Sequence, residues 1–317
     1  YPAKLVDPAT GQVTDEATVT VAGEGTYTID QATGKVTFKP EPGFTGTANG
    51  VTVSVTAPVG RDKDGNVPAD ALKTATAKYT PTVTPITLTP TNKVSEDVQN
   101  VPQTQTPTFE LSNDKTAEIT SKKLVDPATG QPTDATTVTV AGEGSYTIDP
   151  TTGAVTFVPE KDFVGTAKGV TVQATATIKN EDGKTTTITA DATYTPTVVP
   201  AVPTAQPAKS IDVQGATQKG KPTFEGTTVT VNGEQKPVTI KENSYTLVDK
   251  DGNEVTSTPA YAEDGTTVIG THTIDPTTGE VTFTPTDKSY SGKVTPVSVQ
   301  AESSNGIKVS TTYTPEI

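Results

Sequence analysis

The stretch Gly25-Thr26-Tyr27-Thr28-Ile29-Asp30-Gln31-Ala32-Thr33-Gly34-Lys35-Val36-Thr37-Phe38-Lys39-Pro40 reads as one β-hairpin. Tyr27 and Ile29 alternate with Thr28 and Asp30, and Val36 and Phe38 alternate with Thr37 and Lys39, the period of strands with one buried face. Asp30 opens the turn, where its carboxylate accepts backbone N–H groups, and Gly34 closes it at an expected positive φ. The stretch recurs as residues 144–159, with Tyr146, Ile148, Asp149, Gly153, Val155 and Phe157 in register. A third copy, residues 270–285, carries His272, Ile274, Asp275, Gly279, Val281 and Phe283. Three copies of one hairpin predict three copies of one domain, so function is to be sought in the array.

Working outward, Phe44, Phe163 and Tyr290 each precede a glycine by two residues (Gly46, Gly165, Gly292), a pattern of loops pinned by a ring. A strand then follows in each copy, starting at Val51, Val170 and Val297. Next comes a hairpin of variable length tipped by Asp64-Gly65, Asp182-Gly183 or Asn305-Gly306, dipeptides that predict two-residue type I′ turns. Each copy ends at Tyr79, Tyr194 or Tyr313 followed by Thr-Pro, read as the last strand becoming a linker. The linkers, from Thr84-Pro85 to Thr89-Pro90 and from Val199-Pro200 to Gln206-Pro207, are dense in X-Pro steps and read as stiff spacers. No stretch sustains a helical period. The fold expected is all-β: tandem antiparallel β-sandwich domains joined end to end as an elongated rod. The boundaries expected are 1–84, 85–200 and 201–317. Segments at Pro107-Thr108-Phe109 and Pro222-Thr223-Phe224 have no match ahead of Lys4, so the first domain is expected to be N-terminally truncated.

Composition bounds the functions. The 317 residues include no Cys, Met or Trp, 24 Lys and Arg together against 37 Asp and Glu, and a net charge of −13. Lack of Met reads the chain as a piece of a longer one. Lack of Cys excludes thiolate chemistry and disulfides and suits an oxidising exterior. With Arg61 the one arginine, phosphate neutralisation on a nucleic acid is not expected. No apolar run is long enough to span a membrane, and any secretion signal is expected outside the chain. Seven Phe and nine Tyr shared by three domains make each core thin.

Gly23-Glu24-Gly25-Thr26-Tyr27-Thr28-Ile29-Asp30, Thr33-Gly34-Lys35-Val36-Thr37-Phe38, Phe44-Thr45-Gly46-Thr47-Ala48 and Tyr79-Thr80-Pro81-Thr82-Val83 resemble the CshA-type fibril repeat of Gram-positive, streptococcal cell-wall-anchored surface adhesins. The resemblance is strong in the first two copies and weaker in the third, where His272 replaces Tyr and Glu316-Ile317 replaces Thr-Val. It implies an extracellular, wall-anchored fibril in which repeats form the stalk. Host or bacterial partners would then engage regions outside this chain, and the repeats would contact chiefly their neighbours as a monomeric rod.

No residue is assigned a catalytic, cofactor-binding or metal-binding role. His272 occupies a site held by Tyr27 and Tyr146 in the other copies, which asks for a ring in a strand. Asp62-Lys63-Asp64-Gly65-Asn66 and Asp249-Lys250-Asp251-Gly252-Asn253 resemble calcium loops superficially, but Gly precedes Asn66 and Asn253 where the pattern needs it after the third ligand, and Lys73 and Ala260 occupy the twelfth positions. Asp30, Asp149 and Asp275 have a local turn role and no implied cleft, so no enzyme activity and no cofactor are expected. Intramolecular Lys–Asn or Lys–Asp isopeptide bonds would suit such cores, but no spacing selects a pair. Two function classes remain: a mechanical spacer, or weak binding modules for a host matrix protein or glycan multiplied by copy number. What recurs between copies is Gly, Pro, inward aromatics and turn Asp, which favours the spacer.

Overall fold

Two signals dominate the chain, alternating Thr/Val segments and turns of Asp and Gly, and the computed structural model, which describes residues 1–180 and 183–317, answers both with β-structure. The described residues contain no α-helix, only a 3₁₀ turn at Ala69–Ala71. Contacts divide the chain into one unit of Tyr1–Thr91, Thr108–Lys122 and Gln173–Asp191, and another of Asn92–Pro107, Lys123–Val172 and Ala192–Ile317.

Each copy packs two sheets. In the first, Lys4–Val6, Val51–Pro58 and Leu72–Tyr79 face Thr18–Val21, Gly25–Ile29 and Val36–Pro40. In the second, the order Lys93–Val98, Thr185–Val199, Val170–Lys179, Ala117–Leu124 faces Gln103–Gln105, Val155–Pro159, Gly144–Ile148, Thr137–Val140. The third repeats this plan and adds a hairpin of Thr227–Val231 and Glu234–Val238. Among the described residues, pairing is antiparallel with one exception in each of the later copies: Lys93–Val98 lies parallel to Tyr194–Val199, and Ala208–Ile211 lies parallel to Tyr313–Glu316.

The signature hairpin forms in all three copies with one register, pairing Tyr27 with Phe38, Tyr146 with Phe157 and His272 with Phe283. Asp30 Oδ1 accepts from the N–H groups of Ala32 (3.0 Å) and Thr33 (3.3 Å), and Gly34 takes φ +78°. Gly144 sits where the Phe157 ring lies over the backbone; a Cβ there would stand 2.8 Å from that ring and clash with Val158 O. The aromatic thus uses the space a side chain would need.

Two local expectations are corrected. The tips at Asp64-Gly65 and Asn305-Gly306 are not two-residue type I′ turns. They are three-residue loops, closed by Asp62 N–H to Asn66 O (2.8 Å) and Ser303 N–H to Ile307 O (2.8 Å), with positive φ only at Gly65 and Gly306. In the first of them Asp62 Oδ1 accepts from Asp64 N (2.9 Å) and Asn66 N (3.0 Å), which holds the residues before Gly65 right-handed. One glycine then closes the loop as a bulge. Asp182 lies outside the described residues, while its neighbour Gly183 shows φ +81° and donates to Asn180 O. The linkers, second, are not bare spacers. Leu88–Thr91 pairs with Thr108–Leu111, and Thr204–Gln206 pairs with Thr223–Glu225, so the chain recovers backbone hydrogen bonds between its X-Pro steps.

Candidate functional site

An array has two places where a repeat does something beyond folding: the centre of each sandwich, where copies diverge, and the joint to the next repeat. At the centre, Tyr27 and Tyr146 are fully buried, stacked at 4.7 and 4.8 Å on Phe38 and Phe157. They also meet Tyr79 and Tyr194 edge-on at 6.3 and 6.4 Å. The Tyr27 hydroxyl donates to Glu24 Oε2 at 2.8 Å and Tyr146 to Glu143 Oε2 at 2.6 Å. Burial, then the neighbouring carboxyl, pushes both phenols well above their ordinary value. The second oxygen of each carboxyl accepts a main-chain N–H, from Asn49 in one copy and from Lys168 (2.5 Å) in the other. Two buried polar groups therefore satisfy each other and pin the strand after the loop.

The third copy replaces both members. His272 takes the tyrosine place and Ile269 the glutamate place, one residue ahead of Gly270. His272 is 1% exposed, packs on Phe283 (5.6 Å) and Tyr313 (6.2 Å, edge-on), and has no partner at either ring nitrogen. Burial pushes its imidazole down from 6.5 to about 4, so it is neutral at physiological pH. The sequence expectation of a ring in a strand is what the structure shows.

A second buried device escaped the sequence reading. Ser95 Oγ bonds the Tyr194 hydroxyl (2.5 Å) and donates to Gln103 Oε1 (2.5 Å), while Gln103 Nε2 donates to Thr197 O (2.9 Å). Ser210, Tyr313, Gln218 and Glu316 O repeat it at 2.6, 2.6 and 3.0 Å. The available signal was a serine and a glutamine eight residues apart, present twice. In the first copy, no strand of this kind lies beside Tyr79 among the described residues, and that ring is 37% exposed.

The joint between the second and third copies lies within one unit. Val98, Ala201, Val231 and Val238 are buried together, with Val101, Val199 and Val229 against them. Asn305, at the tip of a hairpin of the third copy, donates from Nδ2 to Gln99 O (3.0 Å) and Ala201 O (2.9 Å), and Asn100 Nδ2 donates to Asn305 O (2.9 Å). Lys236 Nζ reaches Asp97 Oδ1 at 2.6 Å, and the Asn232 backbone N–H donates to Glu96 Oε2 at 3.3 Å. Packing and amide hydrogen bonds, not proline alone, hold this joint. Among the described residues, the hairpin Thr227–Val238 that supplies half of the cluster is found only in the third copy.

The acidic loops hold their own backbone. Asp249 Oδ1 accepts from Asp251 N (3.0 Å) and Asn253 N (2.9 Å), as Asp62 does in its loop. Asp149 and Asp275 cap their turns as Asp30 does, accepting from Thr151 N and Thr277 N, each at 2.9 Å. Turn hydrogen bonds hold the Asp275 carboxyl below its ordinary range. No group of three or more His, Cys, Asp or Glu suited to a metal ion occurs among the described residues.

A sequence model described as the surface adhesin CshA repetitive domain matches residues 1–83, 85–198 and 200–317. No curated protein matches. Among solved structures, mouse cadherin-23 EC22-24 is 11% identical, covering 99% of this chain and 85% of that one, with a TM-score of 0.32. The titin I67–I69 fragment, an E-to-A variant, is 9% identical, covering 99% and 87%, at 0.26. The protocadherin gamma B2 fragment of domains 3–6 is 11% identical, covering 94% of this chain and 66% of that one, at 0.24.

Proposed function

The chain belongs to the family of the surface adhesin CshA repetitive domain, and from that premise we propose that its three repeats, 1–84, 85–200 and 201–317, are stalk segments of a cell-surface fibril. Their work is distance: they project a binding region of the parent protein away from a Gram-positive cell wall, as a non-enzymatic monomeric rod. The observation that carries this reading is the joint between the second and third repeats. A linker meant only to tether would leave its valines in water, whereas Val98, Ala201, Val231 and Val238 are all buried and are framed by the Asn305 amide. A buried joint resists bending, and resistance to bending is what a spacer needs. The net charge of −13 supports it by keeping neighbouring fibrils apart. No helix among the described residues is long and apolar enough to cross a membrane.

Small-angle scattering tests the proposal. Strands of ten or so residues rising 3.4 Å each make a sandwich of about 35–45 Å, so three in line with their linkers have a maximum dimension on the order of 120–150 Å. A value below about 80 Å, two sandwich lengths on the same rise per residue, would refute the rod. Micromolar binding of a matrix protein by a single excised repeat would instead favour repeats as multivalent binding modules.

A further inference from the structure

In the second repeat the first strand and the last lie side by side and run the same way. Lys93–Val98 pairs in parallel with Tyr194–Val199 along its whole length, and the Gln99 N–H, donating to Val199 O at 2.8 Å, carries the ladder one step further. The third repeat builds the same seam from Ala208–Ile211 and Tyr313–Glu316, with the Asp212 N–H donating to Glu316 O at 3.1 Å. Load applied along the chain enters the second repeat at Lys93, the N-terminal end of one strand, and leaves at Val199, the C-terminal end of its partner. The two strands are then drawn past each other. Rungs of a parallel ladder are evenly spaced, so all of them take the load together. A pair pulled apart from one end opens rung by rung instead.

Side chains cross the same seam. Ser95 Oγ reaches the Tyr194 hydroxyl and Gln103 Oε1, each at 2.5 Å, and Gln103 Nε2 donates to Thr197 O at 2.9 Å. Ser210, Tyr313 and Gln218 repeat the arrangement in the third repeat. Both tyrosines are fully buried, where hydrogen bonds are strengthened by the low dielectric around them. We propose that this seam is a mechanical clamp, and that the second and third repeats bear tension along the chain in addition to setting distance. The direction of load rests on the stalk reading; the resistance to it resides in each repeat. A sandwich does not need the seam in order to close. The first repeat packs its two sheets with no parallel pair among the described residues, and its strand Lys4–Val6 is held only by pairing with Thr52–Ser54. The first repeat is therefore the weakest link under load.

Single-molecule pulling on the whole chain tests the clamp, because forced unfolding reports the rate of unfolding along the direction of load and not equilibrium stability. Pulled from its two ends, the chain should give one weak event from the first repeat and two stronger ones. Each strong event should lengthen the chain by roughly 330–380 Å, the extended length of residues 93–199 or 208–316 less the folded span. The chain has no cysteine, so introduced thiols give unique handles. Val94→Cys with Thr193→Cys places handles at exposed positions on the two strands at one end of the seam. Pulling between them peels the ladder, and the second repeat should open at a severalfold lower force at the same loading rate. Lys209→Cys with Thr312→Cys makes the same measurement in the third repeat, should the first pair fail to fold. Ser95→Ala should speed one of the two strong end-to-end ruptures by about tenfold at fixed load, the worth of one or two hydrogen bonds, and leave the other unchanged. Equal forces in the two pulling directions would overturn the clamp and make resistance a property of the whole sandwich. So would second and third repeats that rupture end to end no later than the first. Scattering decides the stalk separately: a compact particle whose seam still resists by direction would lose the stalk and keep the clamp.

Discussion

Acidification should unfold the third repeat before the other two, because only it has buried a histidine. The His272 imidazole is 1% exposed and is pushed by burial from 6.5 to about 4. The unfolded chain takes up the proton as pH falls through 6.5, whereas the folded repeat excludes it until about 4. The stabilising contribution is therefore complete above pH 6.5, declines steadily between 6.5 and 4, and adds no further slope below that. The interval corresponds to about 3 kcal/mol at 1.36 kcal/mol per pKa unit, a large part of the stability of a small domain. In melting terms it is worth about 10 °C for a domain of this size. Turn aspartates of the same repeat do not share the window. Asp264, Asp275 and Asp287 are held below 3.8 by turn and side-chain hydrogen bonds, stay ionised in the folded repeat through the window and take up protons only below it. Hydrogen exchange read by mass spectrometry suits the question, since it reports peptides of each repeat separately. Opening free energies for the strand Val268–Ile274 should fall by about 3 kcal/mol from pH 7 to pH 4, while those for Gly144–Ile148 hold. In His272→Phe, which keeps a ring against Phe283 and Tyr313, the slope should vanish. A fall of less than about 1 kcal/mol, or an equal fall in the variant, would refute the reasoning, since each pH unit in the window must contribute.

Other perturbations follow from the same geometry. Gly144→Ala drives a methyl into the Phe157 ring and should destabilise the second repeat by about 1–3 kcal/mol in urea unfolding; a neutral result would show that the ring moves freely. Tyr146→Phe removes the donor to the buried Glu143 carboxyl and should cost about 1–3 kcal/mol. Tyr79→Phe, altering a ring that is 37% exposed and has no such bond, should stay within about 0.5 kcal/mol. Asn305→Ala deletes two hydrogen bonds across the joint and should speed exchange at the Gln99 and Asn100 amides by roughly tenfold or more, equivalent to about 1.4 kcal/mol. Lys236→Ala, removing an ion pair whose lysine is 45% exposed, should change exchange there by less than about fivefold, the range of exposed pairs. Equal effects from these last two would mean that charge, not the amide, holds the joint.

The hairpins were legible in the sequence because everything that makes them is local. Alternation at Tyr27 and Ile29, a carboxylate at Asp30 and a glycine at Gly34 all act within a few residues, and register follows from the turn. His272 was legible as a structural ring because two other copies stood beside it for comparison. The turn type at Asp64-Gly65 was misread because the dipeptide alone signals type I′, whereas the Asp62 side chain two residues earlier selects a right-handed start. Glu24 and Glu143 were in view within the Gly-Glu-Gly motif but carry no local mark of burial, and charged residues are ordinarily outside.

By itself, then, the sequence established three copies of one β-unit, the faces of their strands, the places of their turns, and a family. The rest depended on residues far apart in the chain. Ser95 meets Tyr194 across 99 positions, and Asn305 meets Gln99 across 206. Neither pairing has a periodic or compositional signature, because a contact of that span exists only once two sheets have closed and one repeat has seated on the next. The parallel strand, the sealed tyrosine, the buried joint and the enclosed His272 ring are all consequences of that closure. Alternation tells each strand which side to bury, and only the packed whole tells it against what.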